Sequence, residues 1–346
     1  MRGHVEKPRQ LALAGISAMF LAIFQNQNST PEETTMHRNL LAGLALSMAS
    51  TLATAADLTV THWGVLMYGT PYAVARDQGY FAERGVEIDG FITSKGGGTT
   101  LRNMLASELR YGEVSLAATV AAFKQGVDLK IVNTGARSVG EILWVTRPDS
   151  EVQTIADLEG RVMGFTSPKS VTEMLAIMSL EESGIALDAV KRVALGGIGS
   201  GLTALSEGGA DAAPVMDPIW AGVADKFRPV FFAKDVLPPM TQTVGVVASD
   251  YLTDNREQVA AIIDARRAGV ELIYENPVEA AAILAEAYDM DPAIAETSVN
   301  NLVEIQWWST GEFEMEGLDN MIRGLQIVGE QEGSFDWSTI LDDSLL

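Results

Sequence analysis

The feature that most constrains this chain is the run Arg161–Gly184, RVMGFTSPKSVTEMLAIMSLEESG, where a short strand pattern turns directly into a helix pattern. Arg161–Phe165 is a brief apolar run and reads as a buried strand. Thr166, Ser167, Pro168 and Ser170 form a turn and supply helix caps, after which Val171–Glu181 carries apolar residues at helical spacing. Such a unit leaves backbone N–H groups without intrahelical acceptors at the mouth of an α/β sheet, where an anion or polar ligand can sit. The same arrangement occurs at 57–80, DLTVTHWGVLMYGTPYAVARDQGY. Two such mouths on one chain predict two α/β lobes facing one cleft.

Residues 1–56 read as leader and signal peptide, outside this fold. Leu11–Phe24 is apolar but short for a membrane span. A better targeting pattern starts at Met36, with a basic start at His37 and Arg38, an apolar core at Leu40–Leu52 and a small-residue cleavage site at Ala53-Thr54-Ala55. Met36 is therefore taken as the true start. The remainder is expected to be exported without a membrane span. The chain has no cysteine, which excludes both a disulfide framework and a lipid-modified N-terminal cysteine. A freely diffusing periplasmic protein is the expectation. Setting aside the four Lys/Arg and three Asp/Glu of residues 1–56 leaves a net charge of −23. Such a surface repels nucleic acid and anionic lipid.

Strand and helix patterns alternate through the rest of the chain. Strands are expected near 58–62, 86–92, 112–116, 129–134, 142–145, 161–165, 190–193, 210–215 and 243–248. Glycine-rich loops at 94–100 and 196–201 precede helices expected at Leu101–Glu108 and Leu202–Glu207. Neither loop matches GxGxxG or GxxxxGK[ST], so no nucleotide cofactor is expected. From Asn255 the pattern is almost wholly helical, broken at Trp307-Trp308. The first lobe is placed at 57–146 and 244–346 and the second at 147–243, with crossovers near Thr146 and Thr243.

Beyond the leader the chain holds one histidine, His62, and no cysteine, so the usual zinc sites have no ligand set and no metal is expected. No GxSxG elbow accompanies His62, and nothing singles out a carboxylate pair. A non-enzyme is expected. The polar and aromatic residues at strand ends carry more information. Trp63, Tyr68 and Thr70 follow the first strand, Ser167, Lys169, Ser170 and Thr172 follow another, and Met216, Asp217 and Trp220 follow a third. They suit a cleft that stacks a small ligand on aromatic rings and holds its polar groups with N–H and hydroxyl donors. Trp307 and Trp308 either line that cleft or fill the core.

The runs GTPYAVARDQGYFAERGVEID, AAFKQGVDLKIV at 121–132, TIADLEGRVMGFTSPKS at 154–170, GLTALSEGGADAAPVMDP at 201–218 and the closing FDWSTILDDSLL are similar to the substrate-binding proteins of nitrate/sulfonate/taurine-type ABC importers, a group that includes binders of thiamine-pyrimidine precursors. The resemblance implies a type II periplasmic binding fold, two α/β lobes joined by two hinge strands. It further implies a monomer with a small-molecule solute in the cleft and membrane permease subunits as docking partner. Carried over, the pocket falls on Trp63, Gly64, Tyr68, Gly97, Thr99, Thr119, Ser167, Lys169, Ser170, Thr172 and Asp217. The segment LASELRYGEVSLAATVAA departs from the usual run. Lys95, Arg102 and Lys169 are the cations available to an anion, whereas Asp217 suits an amine or amide. Relatives of this fold that make pyrimidine from their own histidine carry a cysteine- and histidine-bearing pocket, which this chain lacks. A ligand-sensing role on the same fold is the alternative reading.

On this reading Ser170→Ala weakens ligand binding about five- to a hundredfold and leaves melting without ligand nearly unchanged. N-terminal sequencing of the exported protein is expected to start at Ala56 or Asp57; a start upstream of Met36 contradicts the leader assignment.

Overall fold

The computed structural model describes residues 56–94 and 96–346. The expectations for the leader, its cleavage site and Lys95 lie outside the described residues. Strand β1 (Ala56–Val60) leads through a loop into α1 (Thr70–Asp77), which has Pro71 in its first turn, where a missing N–H costs no hydrogen bond. A short α2 (Tyr80–Glu83) leads to β2 (Ile88–Ile92), then α3 (Gly97–Ala106), β3 (Tyr111–Ser115), α4 (Leu116–Lys124) and β4 (Leu129–Thr134). Next come β5 (Leu143–Thr146), β6 (Val162–Phe165), α5 (Val171–Glu182), β7 (Lys191–Ala194), α6 (Ile198–Ser206), β8 (Ala213–Val215), β9 (Arg228–Phe232) and α7 (Ala233–Val236). Strand β10 (Thr243–Ala248) precedes five helices, α8 (Ser249–Asp254), α9 (Arg256–Glu275), α10 (Pro277–Tyr288), α11 (Pro292–Glu304) and α12 (Met315–Ile327).

The first sheet has the order β2-β1-β3-β10-β4. Its first three strands are parallel, whereas β10 runs antiparallel to both β3 and β4, with Val244 opposite Val114 and Thr134. All six residues of β10 are buried, as expected of a β-branched run covered on both faces. The second lobe contains an antiparallel trio, β8-β5-β9, and a parallel pair, β6-β7. A bridge between Met163 and Ala212 joins the pair to the approach of β8.

Two sequence expectations change here. The strand expected at 142–145 belongs to the end of the first lobe on the sequence reading, yet β5 lies at the centre of the trio. Its Trp144 is buried, stacks on Phe231 with ring centroids 5.1 Å apart, and donates from Nε1 to the Gly164 carbonyl at 2.8 Å. The outward crossing is therefore 135–142, and the return crossing is 238–242. Helices α3 and α6 also begin inside their glycine loops, at Gly97 and Ile198, rather than at Leu101 and Leu202. Gly97 allows this because a Cβ there would stand 2.7 Å from the Ala118 Cβ, so only glycine lets the starts of α3 and α4 approach so closely. Both Trp307 and Trp308 are core residues at 1% exposure.

The crossings converge on a buried ion pair. Arg266 of α9 donates from Nε to Glu113 Oε2 of β3 at 3.1 Å, with both side chains almost fully buried. Its other nitrogens donate to the carbonyls of Ser309 at 2.7 Å and Gly135 at 3.0 Å. Glu113 Oε1 accepts from Thr243 Oγ1 at 2.7 Å, and that hydroxyl accepts from Ala136 N, also at 2.7 Å. Burial alone would favour deprotonated Arg266, but the Glu113 carboxylate outweighs it and holds the guanidinium above its ordinary pKa. Removing one partner leaves an uncompensated buried charge. Arg266→Met is expected to lower unfolding stability by about 3–5 kcal/mol, read from urea denaturation; a loss below about 1 kcal/mol contradicts this role.

Candidate functional site

A cavity of about 1000 Å³ opens among the loops at the strand ends of the first sheet and of the trio and pair. Four helix starts contribute to its lining: Gly97 of α3, Ala117 and Ala118 of α4, Val171 and Thr172 of α5, and Ile198 and Gly199 of α6. Among the described residues, the N–H groups of Val171, Thr172, Ile198 and Gly199 have no acceptor, so donors and the positive ends of the helix dipoles point to one region. Beside α5 the hydroxyls of Thr166, Ser170 and Thr172 form a cluster with separations of 2.7–3.1 Å. Much of the remaining wall is apolar, including Val65, Leu66, Val120, Ile142, Met216, Ile219 and Leu325. Lys169 is the single lysine or arginine among the described lining residues, and its ammonium is paired with Glu330. The cleft thus offers amides and hydroxyls to a polar group and aliphatic side chains to an apolar one.

The floor between the crossings is polar. Tyr68 Oη donates to Gln242 Oε1 in a short hydrogen bond. Gln242 Nε2 donates at 2.8 Å to Glu141 Oε1, and Trp307 Nε1 donates at 2.8 Å to Glu141 Oε2. Burial, reinforced by the Glu141 and Glu113 charges, holds the Tyr68 hydroxyl well above its ordinary pKa. Burial also pushes Glu141 up to about 7.

Of the residues expected in the pocket, Tyr68, Gly97, Ser167, Lys169, Ser170 and Thr172 line the cleft. Trp63 does not. Its ring stacks on Phe91 at 3.6 Å, meets Tyr288 edge-on at 5.1 Å and has Arg76 at 5.9 Å, so it packs beneath α1. Gly64 is exposed with φ +77° and serves the turn. Thr99 is exposed and accepts from Arg102 at 2.9 Å, which also accounts for that cation. Thr119 points into its own helix and donates to the Ser115 carbonyl at 3.0 Å. Asp217 lines a separate cavity of about 270 Å³ together with Glu141, Lys234, Asn301 and Glu304. Its oxygens accept from Asn301 Nδ2 at 3.0 Å and Ala221 N at 3.2 Å, and burial pushes its pKa up to about 6. The expectation that Asp217 lies in the pocket and suits an amine or amide is thereby corrected: its neighbours Met216 and Ile219 line the cleft instead. His62 lines the cleft, with Nδ1 2.9 Å from Thr61 Oγ1.

Sequence reasoning missed Gln242, Glu141, Leu325 and Glu330. Gln242 directly precedes the β-rich run at 243 and was the accessible signal; the others follow no spacing rule. Ser170 is also the N-cap of α5 and accepts from Glu173 N at 3.2 Å. Ser170→Ala therefore lowers stability by about 0.5–2 kcal/mol even without ligand, contrary to the sequence expectation.

Glu141 makes stability depend on pH. Between about 4.5 and about 7 the folded chain retains a proton that the unfolded chain releases, so stability falls as pH rises through this window and levels off above it. The loss is on the order of 3 kcal/mol. Glu141→Gln is expected to flatten the fall in denaturation midpoints between about pH 4.5 and 7, most cleanly between 6 and 7, with Asp217 supplying a residual slope below about 6; an unchanged profile contradicts the assignment.

The alkanesulfonate-binding protein SsuA from Xanthomonas axonopodis pv. citri, bound to MOPS, superposes with a TM-score of 0.66 at 15% identity, covering 84% of this chain and 99% of that one. The periplasmic nitrate-binding protein NrtA from Synechocystis PCC 6803 gives 0.61 at 11% identity, covering 85% and 87%. A cysteine-to-serine mutant of DSZB in complex with biphenyl-2-sulfinic acid gives 0.62 at 13%, covering 84% and 97%. These likenesses establish the type II periplasmic-binding-protein-like α/β fold. No curated protein matches the chain. A family model described as NMT1/THI5 like matches residues 67–280, which include both crossings and the described helix starts of the cleft, and the chain belongs to that family.

Proposed function

We propose that this protein is the periplasmic solute-binding component of an ABC-type importer. It takes a small organic solute with a polar or anionic head and an apolar body, and delivers it to the permease. The observation that carries this reading is the cleft itself, where unpaired helix-start amides and a hydroxyl cluster stand opposite an aliphatic wall. The head sits at the starts of α5 and α6, the body runs along Leu66, Val120 and Ile219, and Tyr68 with Gln242 meets its far end. The sulfonate- and nitrate-binding fold relatives support an anionic head. Two crossings let the lobes close on the solute about a common hinge.

A binding role is favoured over catalysis by the composition of the cleft. The described lining residues contain one histidine, one paired lysine and no cysteine. DSZB, whose solved mutant replaces a cysteine, is a fold relative with an enzyme's description, and this chain has no cysteine to match.

A thermal-shift panel of sulfonates, small carboxylic acids, amines and heterocycles tests the reading. Saturable stabilisation by mass action, with the compound recovered intact, is the expected result. Calorimetry on a hit should show Ser170→Ala weakening binding about tenfold. A panel without any hit, or consumption of the hit, overturns the proposal.

A further inference from the structure

The floor of the cleft contains a directional chain of hydrogen bonds whose polarity is set at one buried acid. Each link has a defined capacity. The Trp307 indole can only donate, so Glu141 Oε2 must accept. Ionised Glu141 accepts at Oε1 too, so Gln242 must turn its amide nitrogen toward Glu141 and its amide oxygen toward Tyr68. Tyr68 then spends its one hydrogen on Gln242. Its oxygen, on a residue that lines the cleft, can only accept.

A proton on Glu141 reverses the chain. Trp307 keeps Oε2 as an acceptor, so the added proton sits on Oε1 and donates. Gln242 rotates its amide to accept from it and donates from Nε2 to the Tyr68 oxygen. The Tyr68 hydrogen is thereby freed from Gln242, on a residue that lines the cleft. Every hydrogen bond is conserved, and only the direction changes.

We propose that Glu141 is a positioning residue for ligand specificity, acting through Gln242 so that Tyr68 accepts from a ligand donor when Glu141 is ionised and donates to a ligand acceptor when it is protonated. This rests on the cleft being the solute site. The groups that face Glu141 from packed elements are Asp217 after β8, Lys234 of α7, Glu304 of α11, and Trp307, Gln242 and Tyr68. Asp217 lies on the same small cavity, and its charge favours the protonated acid. The near-neutral titration of Glu141 puts the reversal within an accessible pH range.

Two probes with the same head separate the states: 4-hydroxybenzenesulfonate offers a donor at its far end and 4-methoxybenzenesulfonate only an acceptor. Calorimetry at pH 8 should show the hydroxyl probe binding about tenfold tighter to the parent, with the preference lost or inverted at pH 5.5. Glu141→Gln, which mimics the protonated acid, should show the pH 5.5 preference at both pH values. Tyr68→Phe should erase the discrimination at both and stands in if Glu141→Gln does not fold. A structural role alone would weaken both probes equally and leave their ratio intact, and that result overturns the proposal. A ligand-free measurement runs alongside: the infrared carboxylic-acid band assigned to Glu141 should vanish between pH 5.5 and 8 and be missing in Glu141→Gln, while the Gln242 side-chain amide NMR signals shift with it. Absence of these changes overturns the relay whether or not the probes bind. If neither probe binds but the relay titrates, the cleft assignment fails, and with it the specificity role.

Discussion

The Glu113–Arg266 pair is the interaction on which the rest of the structure depends. Removing two charges from water is expensive, and the attraction between them rarely returns more than that cost. The pair's value here lies in where its remaining hydrogen bonds go. Arg266 holds the carbonyls of Gly135 and Ser309, and Glu113 holds Thr243, which in turn holds Ala136. One guanidinium thereby fastens strand β3, the outward crossing, the start of β10 and the segment after the tandem tryptophans. Gly135 is required beside it, since a Cβ there would lie 2.5 Å from both Glu113 Oε1 and Thr243 Oγ1.

Because both crossings meet at that anchor, a shift of one is coupled to the other. The crossings are also linked beyond it, by Gln242 donating to Glu141. At the back of the cleft α12 packs against α5, closely enough that a Cβ on Gly324 would overlap the Met174 sulfur. The crossings thus carry a buried ion pair at one point and, at another, an acid that burial pushes up to about 7, and the two serve different ends. The first fixes where the lobes meet; the second tunes what the floor between them offers.

Much of the fold was legible because strand and helix periodicities are local. The strands at 129–134 and 243–248 and the helix at 277–288 stand where alternation, β-branching and proline place them. The lobe to which β5 belongs was not legible, since a buried apolar run pairs equally well with either sheet until Trp144 finds Phe231 and Gly164. The site divided along the same line. Ser170 and Thr172 were visible because a helix start has a cap signature, whereas Trp63 was misplaced because an aromatic after a strand fits a cleft or a core. Gln242 and Glu141 stand a hundred residues apart and meet only through the return of the chain. No spacing rule reaches across that distance.

The contact between Lys169 and Glu330 has a consequence of its own. Lys169 belongs to the turn before α5, while Glu330 follows α12 and its carbonyl accepts from Lys124 of α4 at 2.9 Å, so the ion pair ties that turn to the segment held by α4. The Lys169 side chain is 64% exposed, which leaves the attraction open to screening by mobile ions within a Debye length of about 8–10 Å. The strength of this link is therefore set by the salinity of the surroundings: the attraction is fuller in dilute medium and fades in concentrated medium, while the apolar packing of α12 on α5 is unaffected.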